Sequence, residues 1–192
     1  YHYSFLRNLE RLGVSAIAIE DKIGLKSNSL FKVQNKNNHD TIENFCLKIK
    51  TACETRRSED FLIVARIESF ILGKNLNDAL HRAEEYSKAG ADLILIHSKL
   101  ETPKEIFRFA KQFKKSKYYK PMVAVPSTYS KVTEKQLIKN GFKIVIYANH
   151  LLRAAYPAME KVAANILKNK RSFEIEKNII SIKKILNMIP SN

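Results

Sequence analysis

The stretch "YSKAGADLILIHSK", residues 86–99, closes an amphipathic segment at a glycine and, two residues on, runs into four consecutive aliphatic residues. The same grammar recurs in "LERLGVSAIAI" (9–19) and "LIKNGFKIVI" (137–146). A glycine suits the left-handed turn that ends many helices. A continuous apolar run, rather than an alternating one, suits a parallel strand covered on both faces. The sequence holds five such runs, at 15–19, 61–67, 92–97, 122–125 and 143–147.

Helical patterns separate the runs. Residues 40–53 begin with Asp40 as a cap and carry Glu43 three positions on, a capping-box spacing. Residues 76–90 place Leu76, Ala79, Leu80 and Ala83 on one stripe. Residues 102–115 have a Thr cap with proline in the first turn, and 133–141 run from a Thr cap to a glycine. Residues 1–13 read as a helix entering from a strand further upstream. Two amphipathic helices follow the last strand, at 155–169 and 173–189, the second stopped by Pro190.

Five strand–helix alternations specify a parallel α/β domain, either a barrel or an open doubly wound sheet. Polar residues at the C-terminal end of strand after strand favour the barrel, whose active site lies at that end. Five strands do not close an eight-stranded barrel. The expected architecture is an incomplete (β/α)8 TIM-type barrel covering about strands 4 to 8. Residues 1–170 form its C-terminal part, with a lid loop at 20–39, and 171–192 form a C-terminal helix.

With 192 residues, a formal charge of +15 and 45% hydrophobic residues, the chain has the composition of a globular protein with anionic partners. The densest basic stretch, 111–120, sits late in a helical pattern, where lysines suit the negative end of the helix dipole. Basic residues are otherwise spread along the chain, which argues against a nucleic-acid face. No apolar run approaches the ~20 residues of a membrane span. Cys46 and Cys53 lie seven apart on one helix, about 10 Å along its axis, too far for a disulfide. Neither a GxGxxG nor a Walker pattern occurs, and there is no G-x-S-x-G elbow.

The strand ends supply Glu20, Asp21 and Lys22; Arg66 and Glu68; His97, Ser98 and Lys99; Ser127 and Thr128; and Asn149 and His150. Arg66 offers a bidentate fork to carboxylate or phosphate, and His97 a donor that changes charge near neutral pH. Glu20 suits Mg²⁺, directly or through waters, or else a salt bridge to Lys22 or Arg66. The segment from Glu20 to Asp40 is far longer than the usual 2 to 6 residues of a βα loop. It reads as a lid placing Lys26 and Asn28 over a small anionic substrate. The His39–Asp40 pair reads as a helix cap.

"IEDKIGLKSNS" (19–29) resembles the E-D-K-x5-N-S motif of the phosphoenolpyruvate mutases, in the isocitrate lyase superfamily. Residues 63–99, "VAVPSTYS" (123–130) and 144–159 resemble later blocks of the same family in the same order. The resemblance implies a cytoplasmic, Mg²⁺-dependent isomerase interconverting phosphoenolpyruvate and 3-phosphonopyruvate. It implies a metal role for Glu20 through water, substrate binding by Arg66 and His97, and lid roles for Lys26 and Asn28. It also implies a homo-oligomer, dimer or tetramer, that exchanges a C-terminal helix between subunits. The family's direct aspartate ligand comes from an earlier strand, so the chain from Tyr1 onward is expected to be inactive alone. Phosphonopyruvate hydrolase is the nearest alternative. A C–C lyase of the superfamily is the more distant one, since the loop lacks that group's cysteine motif.

Overall fold

The computed structural model describes residues 2–25, 28–30 and 35–188. They divide into two compact units, Tyr1–Tyr147 and Ala148–Asn192. The first contains α1 (His2–Arg11), β1 (Ala16–Glu20), α2 (Ile42–Thr55), β2 (Leu62–Ile67), α3 (Leu76–Lys88), β3 (Leu93–Ile96), α4 (Lys104–Phe113), β4 (Met122–Ala124), α5 (Glu134–Lys139) and β5 (Phe142–Val145).

The five strands form one sheet in the order β1-β2-β3-β4-β5, every neighbouring pair parallel. An order that never reverses has no topological switch point, so successive right-handed crossovers put all helices on one face. The cores confirm this. Ile63, Ala65, Ile67, Ile94, Ile96, Met122 and Ala124 pack with Phe45, Ile49, Tyr86, Phe109 and Phe113 of the helices. Val64, Leu93, Leu95 and Val123 point the other way and form a small cluster of strand residues alone. This is an arc of a barrel: a helical jacket outside, a thin apolar layer inside, and strand C-termini at one rim.

The glycines of the repeated grammar have structural reasons. Gly90 has φ +112°, and a Cβ there would lie 3.0 Å from Cys53 Sγ. Gly141 has φ +94°, and a Cβ would meet Lys114 Cδ at 2.8 Å. Both cysteines are free thiols, as their spacing requires. Thr133 and Gln136 complete a reciprocal capping box on α5.

Two helix starts in this unit differ from expectation. Thr41, not Asp40, caps α2, its hydroxyl accepting from Asn44 N at 3.1 Å. Asp40 is buried and instead accepts from Asn44 Nδ2 at 2.7 Å and Lys48 Nζ at 2.6 Å. Neither His39 nor Asp40 therefore serves as the helix cap. Pro103, not Thr102, occupies the cap position of α4.

The second unit contains α6 (His150–Asn169), α7 (Phe173–Glu176) and α8 (Ile182–Leu186). Helix α6 starts well before the expected 155 and carries Pro157 in its interior. The single helix expected at 173–189 is two short ones. Ser181 interrupts it, because its hydroxyl accepts from Lys184 N and starts α8 afresh. Pro190 lies outside the described residues. None of the described helices is long and apolar enough to cross a membrane.

Candidate functional site

Opposite ends of the strands carry polar groups of different kinds. At the N-terminal ends, Arg56 Nη1 bonds Asp92 Oδ2 at 2.5 Å, and the same oxygen accepts from Ile63 N at 2.8 Å. This pair stitches α2 to β2 and β3, the stabilising work expected at the barrel's bottom.

At the C-terminal rim, β1, β2 and β3 end in register, with Glu20 beside Arg66 and Ile67 beside Ile96. Alternation along β1 sends Glu20 and Lys22 toward the cup and buries Asp21 behind it. Lys22 Nζ lies 3.1 Å from Glu20 Oε1, and Arg66 Nη1 lies 3.7 Å from Glu20 Oε2. Both salt bridges weighed for Glu20 are therefore present. Arg66 Nη2 lies 3.1 Å from His97 Nδ1, and Arg66 Nε donates to Glu68 Oε1 at 2.7 Å. Lys22 and Arg66 both donate to the Ser29 hydroxyl, at 3.2 and 3.0 Å. Ser29 is buried and in turn donates to Glu68 Oε2.

Glu68 is fully buried. Burial alone would raise its pKa. The His97 hydrogen bond, the Arg66 charge and the Ser29 hydroxyl outweigh that and hold it well below the usual carboxylate range. It is an anion at any working pH.

A second buried layer supports this one. Asp21 Oδ1 accepts from Glu68 N at 2.8 Å. Its Oδ2 accepts from Tyr86 Oη at 2.8 Å and Arg82 Nη1 at 3.3 Å, and lies 3.1 Å from His39 Nε2. Burial first, and then the Asp21 charge, push the Tyr86 hydroxyl far up, so it remains a donor. The two ends of the long loop meet here. Ile23 N donates to Asn38 O at 2.8 Å, Asp40 N donates to Asp21 O at 3.0 Å, and Lys22 and His39 form an antiparallel bridge.

The structure thus brings Glu20, Arg66 and His97 together. Asn28 is exposed, its Oδ1 accepting from Leu30 N at 2.9 Å, and it is joined to the cluster through the neighbouring Ser29. Lys26 lies outside the described residues. Asn149 and His150 open α6 in the second unit. Ser98 donates to Glu105, while Thr128 Oγ1 donates to Ser98 O at 3.3 Å, ties that brace the rim at β3 and β4.

Sequence reasoning gave no role to Arg82 or Tyr86, took Ser29 only as part of a motif, and read His39 with Asp40 as a helix cap. The signal for Arg82 was an arginine inside the apolar stripe of α3, between Ala79 and Ala83. Burial of a cation there demands a buried carboxylate facing it.

The metal is a separate question of fit. Among the described residues no group of three or more His, Cys, Asp or Glu is arranged to hold an ion. Glu68 and Asp21 are consumed by their donors, which leaves Glu20 as the carboxylate facing the cup. One carboxylate fits Mg²⁺ held through water, since that ion keeps much of its hydration. The Lys22 ammonium at 3.1 Å from Glu20 also disfavours a bare cation on the same oxygen.

Comparison with known proteins gives a consistent picture. A family profile described as phosphoenolpyruvate phosphomutase matches residues 3–167. The phosphoenolpyruvate phosphomutase of Tetrahymena pyriformis is 37% identical over 95% of this chain and 60% of its own length. The phosphonopyruvate hydrolase of Variovorax sp. (strain Pal2) is 37% identical over 93% of this chain and 61% of its own. The crystal structure of phosphoenolpyruvate phosphomutase from Streptomyces platensis subsp. rosaceus superposes with a TM-score of 0.88 at 35% identity, covering 97% of this chain and 63% of that one. A phosphonopyruvate hydrolase in complex with oxalate and Mg²⁺ superposes with a TM-score of 0.84 at 34% identity, covering 97% and 62%. The chain spans about 60% of the length of these two curated relatives.

Proposed function

The chain belongs to the phosphoenolpyruvate phosphomutase family, and we propose that the complete protein interconverts phosphoenolpyruvate and 3-phosphonopyruvate with Mg²⁺. The observation that carries this reading is the junction of Arg66, His97 and the Ser29–Lys22 pair at one rim, oriented by buried carboxylates.

In the forward direction the O–P bond of phosphoenolpyruvate breaks, leaving pyruvate enolate, and a C–P bond forms at the enolate's methylene carbon. No atom is gained or lost. The protein's task is to hold the phosphoryl group while the carbon turns toward it, and to keep water away. The Arg66 guanidinium pairs with the substrate's anionic oxygens, and a fork spreads that charge over two of them. His97, with Nδ1 beside Arg66 and Glu68, presents Nε2 to the same anion. Glu20 would hold Mg²⁺ through water, and the bound ion would supply positive charge to developing oxyanions. Asn28 approaches the phosphoryl group from the loop between β1 and α2, the loop that also carries Lys26 in sequence. Water exclusion decides between isomerisation and hydrolysis, which gives that loop its chemical role.

Phosphonopyruvate hydrolase is the second reading, because it shares the rim. Asn28 within E-D-K-x5-N-S favours the mutase. The proposal extends to a homo-oligomer in which the C-terminal segment from residue 171 packs on a second copy. Phosphorus NMR of full-length protein given 3-phosphonopyruvate and Mg²⁺ is the test. Appearance of phosphoenolpyruvate supports the mutase, phosphate with pyruvate alone supports the hydrolase, and no turnover rejects both. Oxalate, a small dianion that cannot react, is the matching probe for binding.

A further inference from the structure

Glu68 stands at the centre of the rim, yet neither its burial nor its partners suit it to touch a substrate. Its Oε1 accepts from Arg66 Nε at 2.7 Å and lies 3.2 Å from His97 Nδ1. Its Oε2 accepts from the Ser29 hydroxyl and lies 3.4 Å from Lys22 Nζ. Four side chains from three segments of chain converge on one carboxylate. Its own backbone N–H donates to Asp21 Oδ1, and Asp21 is anchored to α3 by Tyr86 and Arg82.

That arrangement has a directional consequence. Arg66 is partly exposed, and an unheld guanidinium samples many rotamers. Glu68 takes its Nε and Ser29 takes its Nη2, which turns the Nη1 edge toward the cup, where it lies 3.7 Å from Glu20 Oε2. His97 is turned by the same oxygen. With Nδ1 engaged, Nε2 is the ring atom left for a ligand. A carboxylate that accepts from so many donors carries no proton to give at working pH, which sets it apart from a general acid.

We propose that Glu68 is the positioning residue of the anion site: it fixes the Arg66 fork and the His97 ring toward the ligand without contacting the ligand itself. The inference rests on the proposed function for its choice of ligand, though not for the geometry of the clamp.

The experiment uses full-length protein as wild type, Glu68→Gln, Glu68→Asp and Asp92→Asn. Asp92 serves as the control, since its substitution loses a partly buried ion pair at the opposite ends of the same strands. Three quantities are read: oxalate affinity with Mg²⁺ by calorimetry, KM and kcat with 3-phosphonopyruvate, and the Arg66 Nε–H resonance by NMR, assigned by its loss in Arg66→Lys. Glu68→Gln weakens oxalate binding and raises KM by about ten- to a hundredfold, the range for hydrogen bonds to charged groups, and it loses the protected Arg66 resonance. Glu68→Asp restores most of both. Asp92→Asn lowers the melting temperature and leaves oxalate affinity unchanged. Wild-type affinity and an unchanged Arg66 resonance in Glu68→Gln overturn the proposal. If the wild type neither binds oxalate nor turns over substrate, the functional reading fails. The Arg66 resonance then decides alone: protected in wild type and lost in Glu68→Gln supports the clamp, and unchanged in both overturns it.

Discussion

Replacing Arg82 with methionine isolates the deeper carboxylate of the site. The substitution removes the guanidinium and keeps most of the aliphatic stem's volume. Asp21, with no exposed surface, then retains only the Glu68 N–H, the Tyr86 hydroxyl and His39 as partners. Breaking a buried ion pair costs roughly 3–5 kcal/mol, and three surviving donors put this case near the lower end, about 3 kcal/mol. For a protein of this size that corresponds to roughly 6–12 °C in Tm. The reverse substitution, Asp21→Asn, leaves Arg82 its bond to Asp78 at 3.2 Å but turns an amide NH₂ toward donors. The two changes therefore share one interaction. The double variant should cost less than the sum of the singles, by about 1–3 kcal/mol for groups in one network. Urea unfolding of the full-length protein followed by circular dichroism measures all three. An Arg82→Met cost under about 1 kcal/mol, or strict additivity, refutes the buried network as the support of the rim.

Two further outcomes follow from the same groups. Glu68 has a folded pKa below that of an unfolded glutamate, about 4.3. Its stabilisation is therefore fully present above the unfolded value and is lost as pH falls through the folded one. The urea midpoint should decline below about pH 4 in wild type and lose part of that limb in Glu68→Gln; equal slopes contradict the assignment. Asn28→Ala should cut turnover about tenfold or more, the weight of a hydrogen bond to a charged oxygen, while Tm stays within a degree or so, since the residue is exposed. An unchanged rate removes Asn28 from the site.

The barrel arc was legible because its signals are local and repeated. Glycine followed by an apolar run marks β1, β3 and β5, and continuous apolar runs mark β2 and β4. Glu20, Arg66 and His97 were legible as a set because each ends a strand, and strand ends of a parallel sheet share a rim. Helix starts were less so, because neighbouring residues compete to cap: Asp40 lost to Thr41 once Lys48 and Asn44 claimed its carboxylate. The break in the C-terminal helix escaped for the same reason, since Ser181 is an ordinary residue until it turns its hydroxyl on Lys184 N. Arg82, Tyr86 and His39 were invisible as partners of Asp21 because they stand 61, 65 and 18 residues away in sequence. Spacing rules reach one helix turn or one strand pair, and the crossover that brings α3 behind β1 is a property of the whole sheet.

The tied neck of the long loop has an engineering meaning. Backbone bonds between residues 21–23 and 38–40 close that loop on itself before it meets the sheet. Adding residues to an already closed loop costs only slowly rising entropy. The segment is thus a cassette. It can be exchanged for its counterpart from a relative while Glu20, Asp21 and Lys22 keep their places, provided Ser29 is retained, because its hydroxyl joins Lys22, Arg66 and Glu68 at the rim.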